Sequence, residues 1–151
     1  MEFKILSTLD FKITVASTHS FLVLYLKEAD ATLDMVKIAA FFTERVLQEY
    51  TMLQYLPSMV ASCAIYLTRL QLQLDPWSPA LVEYTGYTEN NLLSCYNQMT
   101  TILTTKTTLT TVELKYGMSL TALLAPEAPK KIWVFPRLRT LAVGTQKLRL
   151  P

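Results

Sequence analysis

The segment that most constrains the fold is PSMVASCAIYLTRLQL, residues 57–72. From Met59 to Leu67 only Ser62 and Cys63 interrupt its apolar character, and its middle consists of small residues. A proline is tolerated at a first helical position, because its missing N–H would have no partner there. A helix that is apolar on every side is buried on every side. The segment therefore predicts a central buried helix, around which four other helices pack.

The composition fits one domain with a substantial core. The chain has 151 residues, of which 51% are hydrophobic, and this length can bury a real core. Its apolar runs are far shorter than the ~20 residues of a bilayer span, and its start lacks the apolar region of a secretory signal. We expect no membrane partner, and we expect Cys63 and Cys95 to be buried, reduced thiols rather than a disulfide.

Turn signals and the helix formers between them predict an all-α fold, with only 3 glycines in the chain. A first helix is predicted over residues 2–9. A second begins where Ser17 or Thr18 can accept a hydrogen bond from a free backbone N–H. By β-propensity alone, residues 21–26 of this second element could instead form a strand.

The third predicted helix, residues 33–51, has the clearest apolar face. Its core positions are Met35, Ile38, Ala39, Phe42, Val46 and Tyr50, with Val36, Ala40 and Leu47 at the edges. The opposite side collects the polar residues Asp34, Lys37, Glu44, Arg45 and Gln48. Phe41 falls on this polar side and is therefore a candidate partner-contact residue, the alternative being an ordinary exposed aromatic.

Two further helices are predicted after the central helix. Ser78 as cap and Pro79 at the first position start a short helix, which Gly86 ends because glycine adopts the left-handed conformation easily. Thr88 caps the next helix, with Glu89 near its positive end. The apolar face of that helix consists of Leu92, Tyr96, Met99 and Leu103. Beyond it the threonine-rich sequence weakens the helical signal, and prolines from residue 126 onward predict irregular structure.

These helices, in this order and with these joints, resemble the C-terminal cyclin box of the A/B-type mitotic cyclins. The segments that carry the likeness are ILSTLDFKIT, FLVLYL, AAFFTERVLQEY, YLPSMVASCAIYL, WSPALVEYTGYTENNLLSC and ELKY. The resemblance covers residues 2–116. It implies a cyclin-like five-helix domain with a central buried helix over 17–116. It further implies that 1–16 hold the last helix of a first cyclin box and its linker. The irregular basic tail predicted over 117–151 has no counterpart in this resemblance.

The resemblance implies a regulatory protein of the cell cycle, in the nucleus and cytoplasm, whose partner is a cyclin-dependent kinase. In this family most of the kinase contact surface lies in the first cyclin box, and Met1 falls at the last helix of that box. We therefore expect impaired kinase activation, and a chain that is a fragment, an alternative product or a truncated gene model of a cyclin. The linker's usual Pro-Thr pair is Ala16-Ser17 here.

The first helix is expected to lack the companions that it packs against in the family. Phe3 and Leu6 on this helix are candidate partner-contact residues. The exposed apolar area also predicts self-association through this helix.

Residues with catalytic or metal-binding patterns are missing from the sequence. His19 is the only histidine, which excludes an HExxH helix or a two-histidine site. The cysteines form no CxxC pair, and the glycines stand alone, so no glycine-rich phosphate loop is present. We predict that the protein is not an enzyme and uses no cofactor, metal or small-molecule substrate.

Charge is divided unevenly along the chain. Residues 130–151 carry six basic and no acidic side chains, a net charge of +6, whereas residues 1–129 carry 8 basic and 12 acidic groups, a net charge of −4. A basic tail could neutralise nucleic-acid phosphates or act as a nuclear import signal. Because its cations are spread out, we favour a solvated tail. A cyclin-fold adaptor that contacts nucleic acid, or a non-functional cyclin fragment, remains the alternative.

Overall fold

A computed structural model describes residues 1–105 and 111–117 of the chain. Within these residues the secondary structure is entirely helical: α1 (Glu2–Thr8), α2 (Thr18–Glu28), α3 (Leu33–Val46), a 3₁₀ helix (Tyr50–Gln54), α4 (Pro57–Gln71), α5 (Pro79–Thr85), α6 (Glu89–Thr104) and α7 (Thr111–Tyr116). The all-α prediction is confirmed. The strand alternative for residues 21–26 is wrong, since they lie within α2. The predicted irregular tail lies outside the described residues, apart from Gly117.

Helix α4 is the centre of the domain, as its sequence predicts. Every residue from Val60 to Ile65 is buried, and α4 packs against α2, α3 and α6. The expectation that four helices surround it is only partly correct. Helix α5 packs mainly on α2, and α7 packs on α3. The core is therefore a three-sided enclosure of α4, with two short helices added outside it.

The buried hydroxyl groups of α4 form hydrogen bonds to backbone carbonyls of the same helix. Ser62 Oγ donates to the Ser58 carbonyl at 3.0 Å, and Thr68 Oγ1 donates to the Ala64 carbonyl at 2.7 Å. Buried hydroxyls that are bonded to their own helix avoid the desolvation cost of an unpaired donor. These bonds allow α4 to carry polar side chains at its centre.

Both cysteines are buried free thiols, which confirms the prediction for them. Cys63 Sγ donates to the Leu92 carbonyl of α6 at 3.6 Å. Its hydrogen bond with Cys95 and its burial raise the pKa of the Cys63 thiol. The two thiols therefore behave as small core groups that join α4 to α6.

The helix ends follow the capping residues closely. The Ser17 side chain accepts from the Ser20 N–H at 3.4 Å at the start of α2. Gly86 ends α5 at φ 74°, in the left-handed region. At the start of α6, the Thr88 N–H donates to Asn91 Oδ1 at 3.0 Å. Ser78 occupies the cap position of α5, but its side chain makes no capping bond.

Helix α3 is shorter than predicted. It ends at Val46, and successive i to i+3 backbone bonds follow, from Glu49 N–H to Val46, Met52 N–H to Glu49 and Tyr55 N–H to Met52. A 3₁₀ helix has 3.0 residues per turn instead of 3.6, so Tyr50, its first residue, leaves the core face of α3. Leu47, whose N–H still bonds to the Thr43 carbonyl as in an α-helix, is exposed at the end of α3. The assignment of Leu47 and Tyr50 to the core stripe is wrong.

The placement of Phe41 on a solvent-facing side is also wrong. Its ring is fully buried, and it meets the Tyr116 ring edge-on with centroids 5.9 Å apart. Arg45, one turn later, is buried too, and its Nη1 lies 3.3 Å from Glu49 Oε1. Phe41 is covered by Tyr116 of α7, a helix that the threonine-rich sequence signals only weakly.

Candidate partner-binding surfaces

Helix α1 contains no buried residue, and it has no extensive packing against another described helix. Phe3 is 74% exposed, and Leu6 is half-buried. Two of the three sequence-predicted contact residues are thus available to a partner, whereas Phe41 is enclosed in the core.

A local turn holds the aromatic side chains of the first segment together. The Phe11 N–H donates to the Leu6 carbonyl at 2.9 Å, and Asp10 and Phe11 have positive φ angles of 53° and 55°. The rings of Phe3 and Phe11 meet edge-on with centroids 6.4 Å apart. The turn gathers Phe3, Leu6 and Phe11 into one small apolar unit, which Phe41 does not join.

A second exposed apolar surface lies between α3 and α4. Its side chains stand at a spacing of three residues: Leu47, Tyr50, Leu53 and Leu56. All four are between 62% and 85% exposed. Tyr50 and Leu53 belong to the 3₁₀ helix, in which side chains at i and i+3 lie above one another, whereas Leu47 precedes this helix and Leu56 follows it. We call this surface the apolar stripe.

The opposite side of the same segment is anchored to α6. Met52 is buried, and the Tyr55 hydroxyl bonds to Ser94 at its carbonyl (3.2 Å) and its hydroxyl (3.1 Å). Gln98 Nε2 donates to Thr51 Oγ1 at 3.2 Å. The stripe is therefore held in a fixed shape before any partner arrives, which lowers the entropy cost of binding.

Sequence reasoning missed the stripe because it extended α3 to residue 51. With a period of 3.6, Tyr50 aligns with the core positions of α3. Leu47, Tyr50, Leu53 and Leu56 stand three positions apart in the sequence. This regular spacing was the signal that could have revealed the stripe. That spacing fits a 3₁₀ segment better than an α-helix.

An open groove of about 460 Å³ lies beside the stripe. Its walls are the start of α2, the second half of α3 and helix α7. Its lining includes Thr18, His19, Glu44, Leu47 and Tyr116. Leu47 belongs to both the groove and the stripe. The groove and the stripe therefore form one continuous surface.

A hydrogen-bonded network closes one side of the groove. Lys115 Nζ lies 2.6 and 2.7 Å from the two Glu44 carboxylate oxygens, and the Tyr116 hydroxyl donates to Glu44 Oε1 at 2.7 Å. Burial raises the pKa of Glu44, but the bonds from Lys115 and Tyr116 and the nearby His19 outweigh it and lower that pKa. Burial and the Glu44 carboxylate raise the pKa of Tyr116. The network fastens α7 to α3.

The described residues meet the requirements of neither a metal site nor a membrane span. Across 1–105 and 111–117, no group of three or more His, Cys, Asp or Glu side chains is placed to hold a metal ion. Among the same residues, no helix is both long and apolar enough to cross a bilayer. The arrangement can present apolar side chains to another protein.

The sequence model for the C-terminal domain of cyclins matches residues 16–124. This chain belongs to the cyclin family. Among its relatives, Cyclin-A2-1 of Arabidopsis thaliana is 33% identical over 126 residues, which is 78% of this chain and 28% of that protein. Cyclin-B1-5 of Oryza sativa subsp. japonica is 36% identical over 96 residues (63% and 21%), and rice Cyclin-B1-1 is 40% identical over 99 residues (62% and 22%).

The resemblance to A- and B-type cyclins is thereby confirmed. The cyclin matches span between about a fifth and three tenths of the length of these three relatives. The domain limits at residues 16 and 116 stay predictions.

Proposed function

We propose that this cyclin chain is a regulatory protein that binds a cyclin-dependent kinase and catalyses no reaction itself. The match to the cyclin C-terminal domain carries this proposal, because membership of the family implies such a kinase partner in general. Its sites of action would be the nucleus and the cytoplasm.

The exposed apolar face of α1 is the candidate contact for that partner. Phe3 is largely exposed and Leu6 is half-buried, and exposed apolar residues of this kind mark interaction sites when they lie together. Phe41 drops out of the proposal, because its buried ring can reach a partner only after α7 has moved.

Kinase activation by this chain alone is expected to be weak. The resemblance assigns most of the family's kinase contact surface to the first cyclin box, and residues 16–124 match the second. Binding and activation are thus separate expectations, and each needs its own measurement.

The test is capture of a cyclin-dependent kinase from cell extract on the immobilised full chain, with histone phosphorylation as the readout of activity. We expect kinase to be retained, with little stimulation of purified kinase. The double variant Phe3→Ser/Leu6→Ser should retain less. Leu33→Ser, a change at another exposed leucine, serves as the matched control.

Two outcomes contradict the proposal. If no kinase is found in the captured fraction, the proposed kinase binding is contradicted. That result would support the alternative that the chain is a non-functional cyclin fragment. Retention on DNA that falls steeply with salt, without kinase, favours the nucleic-acid adaptor instead.

A further inference from the structure

We propose that the groove between α2, α3 and α7 is the docking site of the chain's own residues 118–124, which have the sequence MSLTALL. These residues lie outside the described part of the chain and follow directly after Gly117. The inference does not depend on the kinase proposal, because it concerns contacts within one chain.

Helix α7 runs along this groove and is fixed at its last turn. Val112 and Tyr116 are four residues apart, so they lie on the same face of α7, and both line the groove. Lys115 Nζ and the Tyr116 hydroxyl bond to Glu44 Oε1 at 2.6 and 2.7 Å. The chain therefore leaves α7 from a fixed point on the wall of the groove.

The end of α7 gives the direction in which the chain continues. Gly117 has a φ of 60°, in the left-handed region, and its N–H bonds to the Leu114 carbonyl at 3.4 Å. This bond is one of the two that form a Schellman motif. Such a helix end is commonly accompanied by an apolar contact between the residue after the glycine and a residue five or six positions before it. Met118 and Val112 stand in these positions, so the motif directs the first residue of the segment onto the groove lining.

The composition of residues 118–124 suits this site. The segment carries no charge, and its large apolar side chains are Met118, Leu120, Leu123 and Leu124. Burial of apolar surface is favourable, at about 25 cal/mol for each Å² removed from water. The carboxylate in the groove lining, Glu44, is already bonded to Lys115. An uncharged segment can therefore dock without separating this ion pair.

The groove has room and hydrogen-bonding partners for the segment. Its volume of about 460 Å³ falls in the range of roughly 300–1,000 Å³ of pockets that enclose small molecules, which is enough for a few side chains. A backbone that lies in a groove needs partners for its N–H and C=O groups. Thr18, His19 and Gln48 line the groove and can supply them.

Two observations favour these residues over a second copy or a different protein. The match to the cyclin C-terminal domain continues to residue 124, so residues 118–124 belong to the matched domain. Only Gly117 separates Met118 from Tyr116, which lines the groove. A segment held by so short a connection has an effective concentration on the order of millimolar, which favours it over a separate molecule.

The first experiment measures the urea midpoints of purified full-length variants at low protein concentration. Met118→Ser/Leu120→Ser should lower the midpoint by about 0.5–1 M, because two apolar side chains lose their burial. Leu138→Ser/Leu141→Ser, beyond the matched residues, is the control and should leave the midpoint unchanged. Leu47→Ser changes the groove lining and should lower the midpoint too. Combined with the segment variant, its loss should be smaller than the sum of the two.

The second experiment identifies the contact. A benzophenone amino acid replaces Leu120 in unlabelled chain, which is mixed with ¹⁵N-labelled unmodified chain and irradiated. We expect cross-links within one copy, from position 120 to residues 18–19, 40–48 or 112–116. Circular dichroism without urea checks that every variant is folded.

Several results would overturn the proposal. Equal midpoints for the segment variant and its control would show that residues 118–124 are not buried. Strictly additive losses with Leu47→Ser, or cross-links only outside the groove, would show that the segment docks elsewhere. Cross-links to the labelled chain would identify a second copy as the occupant. Each of these failures would leave the kinase proposal untouched, since that proposal is measured by kinase capture.

Discussion

Helices α1 and α4 are both rich in apolar residues, but their surroundings are opposite. Phe3 of α1 is mostly exposed, whereas all residues from Val60 to Ile65 of α4 are buried. Helix α4 packs extensively against α2, α3 and α6, whereas α1 packs extensively against none of the described helices. The difference shows that apolar composition marks a surface to be covered, while the available partners decide whether it is covered inside the chain or by another molecule.

The pair Phe41 and Phe3 gives the largest expected contrast. Phe41→Ala removes a fully buried ring and should lower the free energy of unfolding by about 3–5 kcal/mol. Phe3→Ala should change it by less than about 0.5 kcal/mol. Urea denaturation at low protein concentration measures both. Equal losses in the two variants would mean that α1 packs on the domain.

The small residues of α4 give the next contrast. Ala64 is fully buried at the centre of α4, so Ala64→Leu should overpack the core and cost about 1–3 kcal/mol. Ala80→Leu adds the same atoms at an exposed position of α5 and should be nearly neutral. Thermal melts compare them, and a neutral Ala64→Leu would contradict the central position of α4.

The attachment of α7 provides a smaller, pH-dependent effect. Glu44→Gln removes the charge that Lys115 and Tyr116 bind, and should cost about 1 kcal/mol at neutral pH. The pKa of Glu44 is lowered in the folded state. Its contribution is therefore present above the unfolded value of about 4.3, and is lost as the pH falls through the lower, folded pKa.

Urea midpoints of the wild type and Glu44→Gln, taken from pH 7 down to pH 3, measure this contribution. The gap between the two proteins should close in the acid range. Glu83→Gln, at an exposed carboxylate of α5, is the control. A gap that stays constant with pH would show that the Glu44 charge does not hold α7.

The smallest contrast concerns two serine caps. Ser17 accepts a hydrogen bond from the Ser20 backbone, whereas the Ser78 side chain makes no capping bond. Ser17→Ala should cost about 0.5–1 kcal/mol, and Ser78→Ala should cost clearly less. Thermal unfolding of the two variants orders them, and the reverse order would contradict the capping geometry.

Local features of the fold were predictable because their causes lie close together in the chain. The cap at Ser17, the end of α5 at Gly86 and the start of α4 at Pro57 each depend on a few adjacent residues. The burial of α4 was predictable as well, since no polar side exists to face water. These features also carried the resemblance that the cyclin match confirms.

The candidate surfaces were predictable only in part. The exposed apolar area of the first helix was predicted correctly, as Phe3 shows. Phe41 was misplaced because α7, which covers it, is more than sixty residues away and has little helical signal. Tyr50 was misplaced because the backbone changes period after Val46, and side-chain periodicity alone could not show where that change occurs.

The sequence by itself determined an all-helical cyclin domain built on α4, because periodicity, capping and side-chain volume act over a few residues. Tertiary structure alone decided that Phe41 and Arg45 lie inside and that Leu47, Tyr50, Leu53 and Leu56 lie outside. Burial is a property of the neighbours that surround a residue, and those neighbours come from distant parts of the chain.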